Sequence, residues 1–141
     1  MLNQKHGKLW VFLGLFALFH APAWAKEDSP KVIEGAQTVK APQVKKLWRQ
    51  GVAIIDTRKD EDWKAGRIPG AYHVNIKKPE FNPQRVGQFV AKNEPVVTYC
   101  NAKKCHRAAN AAKKLVSFGY TQVHYFRGGF PEWKNAGYPY E

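Results

Sequence analysis

The residue types best suited to chemistry lie in one stretch between Val96 and Arg107. A short apolar run ends at Cys100, and basic side chains then follow closely: Lys103, Lys104, His106 and Arg107. Positive charge beside a cysteine stabilises the thiolate over the thiol, and the same charge attracts anionic substrates. The stretch therefore predicts a nucleophilic thiol with an anion-binding loop, against the simpler interpretation of a buried structural cysteine before a solvated basic turn.

The elements around this loop place it at the edge of a sheet. Residues 96–99 are β-branched and apolar, which predicts a buried strand, and residues 107–118 favour a helix that ends at Gly119. Cys100 would then lie between the carboxyl end of a strand and a helix N-terminus, where open α/β sheets bind ligands. We expect the backbone N–H groups of residues 101–105 to face the bound group.

Strands and helices alternate along the rest of the chain. Strands are predicted at 37–39, 52–55, 74–76 and 123–126, and further helices near 42–50, 61–64, 84–91 and from Phe130. This alternation predicts one α/β domain with a mostly parallel central sheet and helices on both faces. The pair Gly128 and Gly129 predicts a close backbone approach or a positive φ angle.

Polar residues after the second strand are candidates for supporting roles. Asp56 ends that strand and could be a general acid or base, but we expect it to bind backbone donors and position loops. Arg58 and Glu61 suggest a structural ion pair or network, with substrate binding by Arg58 as the less favoured alternative. His73 is expected to act as a structural donor. No further His or acid lies at metal-ligand spacing from it, so we predict no metal site.

Four segments together resemble the rhodanese family. They are a strand ending in Asp56-Thr57-Arg58, the segment from Gly66 to His73 with Arg67 where the family has His, the Cys100 loop, and the stretch from Gly119 to Trp133. The resemblance implies sulfur transfer: Cys100 takes sulfur from an anionic donor such as thiosulfate and passes it to a thiol or cyanide-like acceptor, a protein thiol among them. It implies no cofactor.

The loop departs from the common family pattern, Cys-x-x-Gly-x-Arg-Ser. It is two residues longer, has Ala102 near the usual Gly, and carries a second cysteine, Cys105. We therefore consider two alternatives: a redox-switched sulfur carrier that uses Cys100 and Cys105, and a phosphatase-like or arsenate-reductase-like anion site. The members of the predicted site loop are Cys100, Asn101, Ala102, Lys103, Lys104, Cys105, His106 and Arg107.

The amino-terminal residues 1–25 have the pattern of a signal peptide. Lys5 and Lys8 precede an apolar run over 9–19, and Ala23-Trp24-Ala25 fits a cleavage site. The run is shorter than the ~18 residues of a membrane-spanning helix, so we expect cleavage after Ala25, no stable membrane anchor and a periplasmic protein. We expect residues 26–36 to be a linker and 37–141 the rhodanese-like domain.

The whole chain of 141 residues has a formal net charge of +12. A basic surface favours anionic partners without naming them. No RNA-binding motif or regular basic stripe is present, which argues against nucleic-acid binding. We expect a monomer.

Overall fold

The structure is a computed structural model that describes residues 25–141, and the predicted signal peptide, 1–25, lies almost wholly outside that range. The strands are β1 (Ala36–Thr38), β2 (Ala53–Asp56), β3 (Tyr72–His73), β4 (Pro95–Tyr99) and β5 (Gln122–Phe126). The helices are α1 (Ala41–Arg49), α2 (Asp60–Ala65), α3 (Pro83–Gly87), α4 (Arg107–Ser117) and α5 (Gly129–Asn135). The strands form one sheet in the order β1-β5-β4-β2-β3, and every neighbouring pair is parallel.

The sheet has a hydrophobic core on each face, which confirms the prediction of helices on both sides. Successive residues of β4 illustrate this, since Val96 packs with α4 and Val97 packs with α1 and α5. Side chains alternate between the faces of a strand, so a run that is apolar throughout must be covered on both sides. The small residues Ala108, Ala109, Ala111 and Ala112 let α4 lie close to the sheet.

The register of the central strands brings three loops together. Tyr99 at the end of β4 is paired with Asp56 of β2 on one side and with Phe126 of β5 on the other. The carboxyl ends of parallel strands meet at one edge, so the Cys100 loop lies between the loops that follow β2 and β5. This is the placement that the sequence predicts.

Two predicted elements differ from the structure. The strand expected at 74–76 is instead the two-residue β3, although the amides of Val74 and Ile76 still bind the carbonyl oxygens of Asp56 and Thr57. Both side chains are buried in the core beside α4. The helix expected over 84–91 ends at Gly87, whose flexibility disfavours a longer helix.

Residues 26–36 were expected to be a linker, and in the structure part of this segment is packed against the domain. Ser29 and Ile33 are only 2% and 3% exposed. The segment therefore belongs to the folded unit as far as its contacts show. Within residues 25–141, no helix has the length and apolar character needed to cross a membrane.

Candidate active site

The loop that follows β4 carries the predicted nucleophile at its first position. Cys100 is 2% exposed, and the loop runs from it to Arg107, where α4 begins. A turn within the loop is closed by the amide of Cys105, which donates to the carbonyl oxygen of Ala102 at 3.2 Å. Ala102 has a φ of 51°, in the left-handed region that glycine adopts more easily. This agrees with the glycine that the resemblance leads one to expect near this position.

The start of α5 packs against the backbone of Cys100, at the beginning of the loop. Gly129 has a φ of 61°, and a Cβ atom there would lie 2.1 Å from the carbonyl oxygen of Cys100. The next amide, of Phe130, donates to the same oxygen at 2.9 Å. Both predicted reasons for the glycine pair, close approach and positive φ, are therefore met at Gly129.

The two thiols of the loop interact with one another. The Cys100 thiol donates to the carbonyl oxygen of Cys105 at 3.3 Å. Interaction with the Cys105 side chain, followed by burial, raises the pKa of Cys100 well above its ordinary value. The same interaction lowers the pKa of Cys105 to about 6, against the opposing effect of burial. These pKa directions favour loss of the first proton from Cys105 and retention of the second proton on Cys100.

Backbone amides near the loop also affect the pKa values of the two cysteines. The N–H groups of Ala108 and Asn101 act to lower the pKa of Cys100, against the larger effects of Cys105 and burial, and those of Asn101 and Arg107 act to lower the pKa of Cys105. The amide of Cys105 is already used within the loop turn. The donors around the sulfurs therefore come from the start of the loop and from the first turn of α4, which partly differs from the predicted set of 101–105.

The basic side chains of the loop mostly turn outward. Lys103 and Lys104 are exposed and lie 3.7 Å and 2.6 Å from the carboxylate of Asp28. His106 Nε2 donates to the carbonyl oxygen of Glu27 at 2.8 Å. Arg107 donates to Asn75 Oδ1 at 2.9 Å.

A cleft of about 610 Å³ opens beside the loop. Its wall includes Ala102 and Lys103 from the loop and Arg127 from the chain after β5. The cations that line it are Lys31, Lys40, Lys103 and Arg127. The acid in its wall, Glu132, accepts a hydrogen bond from the amide of Ala41 at 2.9 Å. The cleft is therefore a basic pocket against the outer side of the loop.

Asp56 and Arg58 form a buried ion pair under the loop. Arg58 Nη2 lies 2.6 Å from Asp56 Oδ2, and the two side chains are 3% and 0% exposed. Burial alone would lower the pKa of Arg58, but the hydrogen bonds and charge of Asp56 outweigh it and raise that pKa. Arg58 also donates to Asn101 Oδ1 at 3.2 Å, which ties the pair to the loop. The expected pairing of Arg58 with Glu61 is wrong, since Asp56 is its partner.

The remaining predicted residues surround this ion pair. The hydroxyl of Tyr99 donates to Asp56, and burial, with the nearby Asp56 charge, raises the tyrosine's pKa. His73 Nε2 donates to the carbonyl oxygen of Arg58 at 2.9 Å and its ring stacks on Trp63. Asn101 Nδ2 donates to Asp62 at 2.9 Å. Asp56, Arg58 and His73 are thus placed to position the loops and do not touch the sulfur atoms through any hydrogen bond among the described residues.

Sequence reasoning missed two contributors. Tyr99 directly precedes Cys100, and a hydroxyl on an otherwise apolar strand could have suggested a buried polar partner. Asp28 gave no such signal, because it is distant in sequence and its segment looked like a linker. Only the packing of residues 26–29 against the loop brings its carboxylate to the lysines.

Comparison with known proteins identifies the fold family. The sequence model of the Rhodanese-like domain family matches residues 40–136, which cover the sheet from α1 onward and the whole Cys100 loop. The chain belongs to the rhodanese-like family. The resemblance noted from four sequence segments is thereby confirmed.

Individual relatives of this rhodanese-like domain are consistent with the match. Rhodanese-like domain-containing protein 17 of Arabidopsis thaliana is 32% identical over 140 residues, covering 91% of this chain and 86% of its own. Thiosulfate sulfurtransferase GlpE of Pseudomonas fluorescens (strain SBW25) is 34% identical, covering 67% of this chain and 81% of its own. A crystal structure of a Bacillus halodurans protein superimposes with a TM-score of 0.65 at 22% identity, covering 74% and 76% of the two chains. The last comparison shows the shared fold, and the relatives include sulfurtransferases.

Proposed function

We propose that this rhodanese-like chain is a sulfurtransferase in which Cys100 accepts sulfur as a persulfide from an anionic donor such as thiosulfate. The observation that carries the proposal is the position of Cys100, which is buried directly after the carboxyl end of β4, in the loop that leads into the first turn of α4. Backbone amides at such a position stabilise negative charge without having to reorganise during the reaction. The similarity to a thiosulfate sulfurtransferase from Pseudomonas fluorescens supports the same reaction class.

In this mechanism the resting pair holds one proton, on Cys100, while Cys105 carries the negative charge, in keeping with the raised pKa of Cys100 and the lowered pKa of Cys105. Transfer of that proton to Cys105 generates the Cys100 thiolate. The thiolate attacks the outer sulfur of thiosulfate, a new S–S bond forms, and the S–S bond of the donor breaks with release of sulfite. The amides of the loop and of α4 then hold the terminal sulfur of the persulfide.

An acceptor completes the cycle. A cyanide ion or a thiolate attacks the terminal sulfur, and the Cys100 thiolate leaves with the electron pair of the broken S–S bond. The products are thiocyanate or a new persulfide on the acceptor, and Cys105 can return its proton to Cys100. No cofactor takes part in these steps. We expect the acceptor to be a small thiol or a protein thiol.

A thiol relay is the second candidate, and the contact between Cys100 and Cys105 favours it. In this version Cys105 attacks the inner sulfur of the Cys100 persulfide, a disulfide forms and hydrosulfide leaves. The domain would then need reduction before another round. A phosphatase-like or arsenate-reductase-like site has less support, since Arg107 is engaged by Asn75. Parallel assays with thiosulfate and an aryl phosphate would distinguish these reactions.

Export to the periplasm is part of the proposal and rests on the pattern of residues 1–25. The positive start, short apolar run and Ala23-Trp24-Ala25 support cleavage after Ala25. Amino-terminal sequencing of protein purified from a periplasmic extract should begin at Lys26. Recovery of the intact precursor in the membrane as the major form would contradict it. We expect the released protein to be a monomer, which sedimentation can test.

The decisive experiment is the intact mass of the protein after exposure to thiosulfate, with and without a reductant. The proposal expects a gain of one sulfur atom that the reductant removes, together with release of one sulfite per protein. An unchanged mass in fully reduced protein would contradict sulfur transfer from thiosulfate. Loss of two hydrogen atoms, with no sulfur gained at any time during the reaction, would support direct oxidation of the thiols.

A further inference from the structure

Residues 26–29, here called the strap, cross over the outer side of the Cys100 loop. The amide of Ser29 donates to the carbonyl oxygen of Lys103 at 2.7 Å. Lys104 Nζ donates to the carbonyl oxygen of Lys26 at 2.9 Å, and His106 Nε2 to that of Glu27 at 2.8 Å. Consecutive residues of the strap therefore contact the loop from its middle to its end.

The strap is anchored to the body of the domain at Ser29. This residue is 2% exposed, and its hydroxyl accepts a hydrogen bond from Tyr125 in β5 at 3.1 Å. Its carbonyl oxygen accepts from Arg127 Nε and Nη2, at 3.1 Å and 2.9 Å. Buried hydrogen bonds of this kind are costly to leave unmade, so the strap has a defined position. Asp28 is fixed beside the loop as a consequence.

Asp28 lies among three cations that surround the loop and its cleft. Its carboxylate is 2.6 Å from Lys104 Nζ, 3.7 Å from Lys103 Nζ and 3.8 Å from Arg127 Nη2. Lys103 and Arg127 also line the basic cleft. The same side chain thus offsets charge in the loop and in the cleft. The match with the family model begins at residue 40, so Asp28 lies outside the residues that this model covers.

We propose that Asp28 is a specificity-determining residue, because its carboxylate offsets the charge of Lys103, Lys104 and Arg127 and so reduces the preference of the loop thiols for anionic reagents over neutral ones. The proposed sulfurtransferase function is needed only to say that the natural anionic reagent is a sulfur donor. The electrostatic effect itself exists for any reagent that reaches the thiols.

The expected size follows from the distance over which one charge acts. A unit charge removed about 8 Å from a reacting anion, in a largely aqueous environment, changes the rate about two- to fivefold at low salt. The effect decreases as salt rises, because exposed charges are screened over ~8–10 Å at physiological ionic strength. A neutral reagent lacks this direct attraction or repulsion, and any change in the thiolate itself affects both reagents alike, so the ratio of the two rates isolates the effect on the charged reagent.

Iodoacetate and iodoacetamide provide such a pair of reagents. Both alkylate a thiolate by forming an S–C bond with loss of iodide, and they differ in carrying one negative charge or none. We suggest measuring both rates on the protein expressed from its full sequence, at low salt and at high salt, with peptide mapping to confirm that the same cysteine reacts. The variants are Asp28→Asn and Asp28→Glu. The matched control is Glu94→Gln, which makes the same change in net charge at an exposed position just before β4, at the opposite edge of the sheet.

The ratio of the iodoacetate rate to the iodoacetamide rate should rise about two- to fivefold in Asp28→Asn at low salt, and the rise should vanish at high salt. Asp28→Glu and Glu94→Gln should keep the original ratio. An unchanged ratio in Asp28→Asn, or an equal rise in Glu94→Gln, would overturn the proposal. Equal acceleration with both reagents would leave the ratio unchanged and would also overturn it, since a looser loop or a larger thiolate fraction would explain that result. No sulfur transfer is needed, so the result stands apart from the outcome of the thiosulfate experiment.

Discussion

The thiol of Cys100 donates a hydrogen bond to the carbonyl oxygen of Cys105 at 3.3 Å, so the first and sixth residues of the loop lie against each other. A loop that curls back in this way brings two ionisable thiols close together in a largely buried site. Two negative charges this close together in a largely buried site repel each other, so we expect the first proton of the pair to be lost at a much lower pH than the second. The following predictions depend on this shared proton or on the backbone that positions it.

Replacing each cysteine separately should divide their roles. Cys100→Ser should abolish sulfur gain from thiosulfate, because a hydroxyl is not ionised by these neighbours near neutral pH. Cys105→Ser should still gain one sulfur but more slowly, since the group that takes the proton of Cys100 is lost. Intact-mass time courses measure both. Sulfur uptake by Cys100→Ser at the wild-type rate would assign the nucleophile to Cys105 instead.

The reactivity of the pair should depend on pH in a specific direction. The deprotonated sulfur is the nucleophile, so the rate of alkylation at Cys105 should rise with pH, reach half its maximum near the pKa of about 6, and level off before the range of an ordinary thiol. In Cys100→Ala the thiol donor is lost, and the midpoint should move up toward about 8.5. Both midpoints can be measured from the rate of iodoacetamide alkylation at a series of pH values between about 4 and 9, with peptide mapping to identify the alkylated cysteine. Coincident midpoints in the two proteins would show that the thiols do not share a proton.

Gly129 should be among the least replaceable residues near the loop. Gly129→Ala should lower the free energy of unfolding by about 2–5 kcal/mol, since it combines a strained positive φ with a Cβ 2.1 Å from the Cys100 carbonyl oxygen. Gly137→Ala is the matched control, because Gly137 also has a positive φ, of 74°, but open space around it. That variant should lose only about 1–2 kcal/mol. Urea unfolding compares the two, and equal losses would mean that the close contact with Cys100 is relieved at little cost.

Cys100 and Cys105 are predicted to form a reversible disulfide that inactivates the site. Both are free in the described structure, and the hydrogen bond from one thiol to the other residue's backbone brings them near each other. A disulfide needs Cα atoms within about 7 Å and converging side chains. With the bond made, no thiolate remains to attack a donor, and reduction should restore activity. Thiol counting on protein purified without reductant tests this, and two free thiols with full activity would rule it out.

Several features of this rhodanese-like chain follow directly from its sequence. The apolar residues of β2 and β4 are continuous, and continuous apolar strands require cover on both faces of a parallel sheet. The alanine-rich stretch after Cys100 favours a helix and predicts α4. Because a strand precedes it, Cys100 must lie in the loop between the strand end and the helix. These are local patterns of hydrophobicity and backbone preference, so they can be recognised without knowing the fold.

The partners of polar residues were harder to predict. Arg58 was expected to pair with Glu61, yet it pairs with Asp56, whose carboxylate is also bound by Tyr99. Several acids lie near Arg58 in the sequence, and only the packing of the strand ends determines which of them is buried beside it. Burial also strengthens the selected pair, because water no longer competes for its hydrogen bonds.

The electrostatic environment of the Cys100 loop depends on the tertiary structure. The sequence predicts that Lys103 and Lys104 attract anions, and it does not distinguish the pKa of Cys105 from that of Cys100. In the folded chain Asp28 lies against both lysines, and the interaction between the two cysteines raises the pKa of Cys100 and lowers that of Cys105. Such effects depend on distances of a few ångströms between residues that are remote in sequence or placed by a turn, since electrostatic interactions weaken with separation and with solvent exposure. A linear pattern specifies which groups are present, and the fold specifies which of them are close enough to interact.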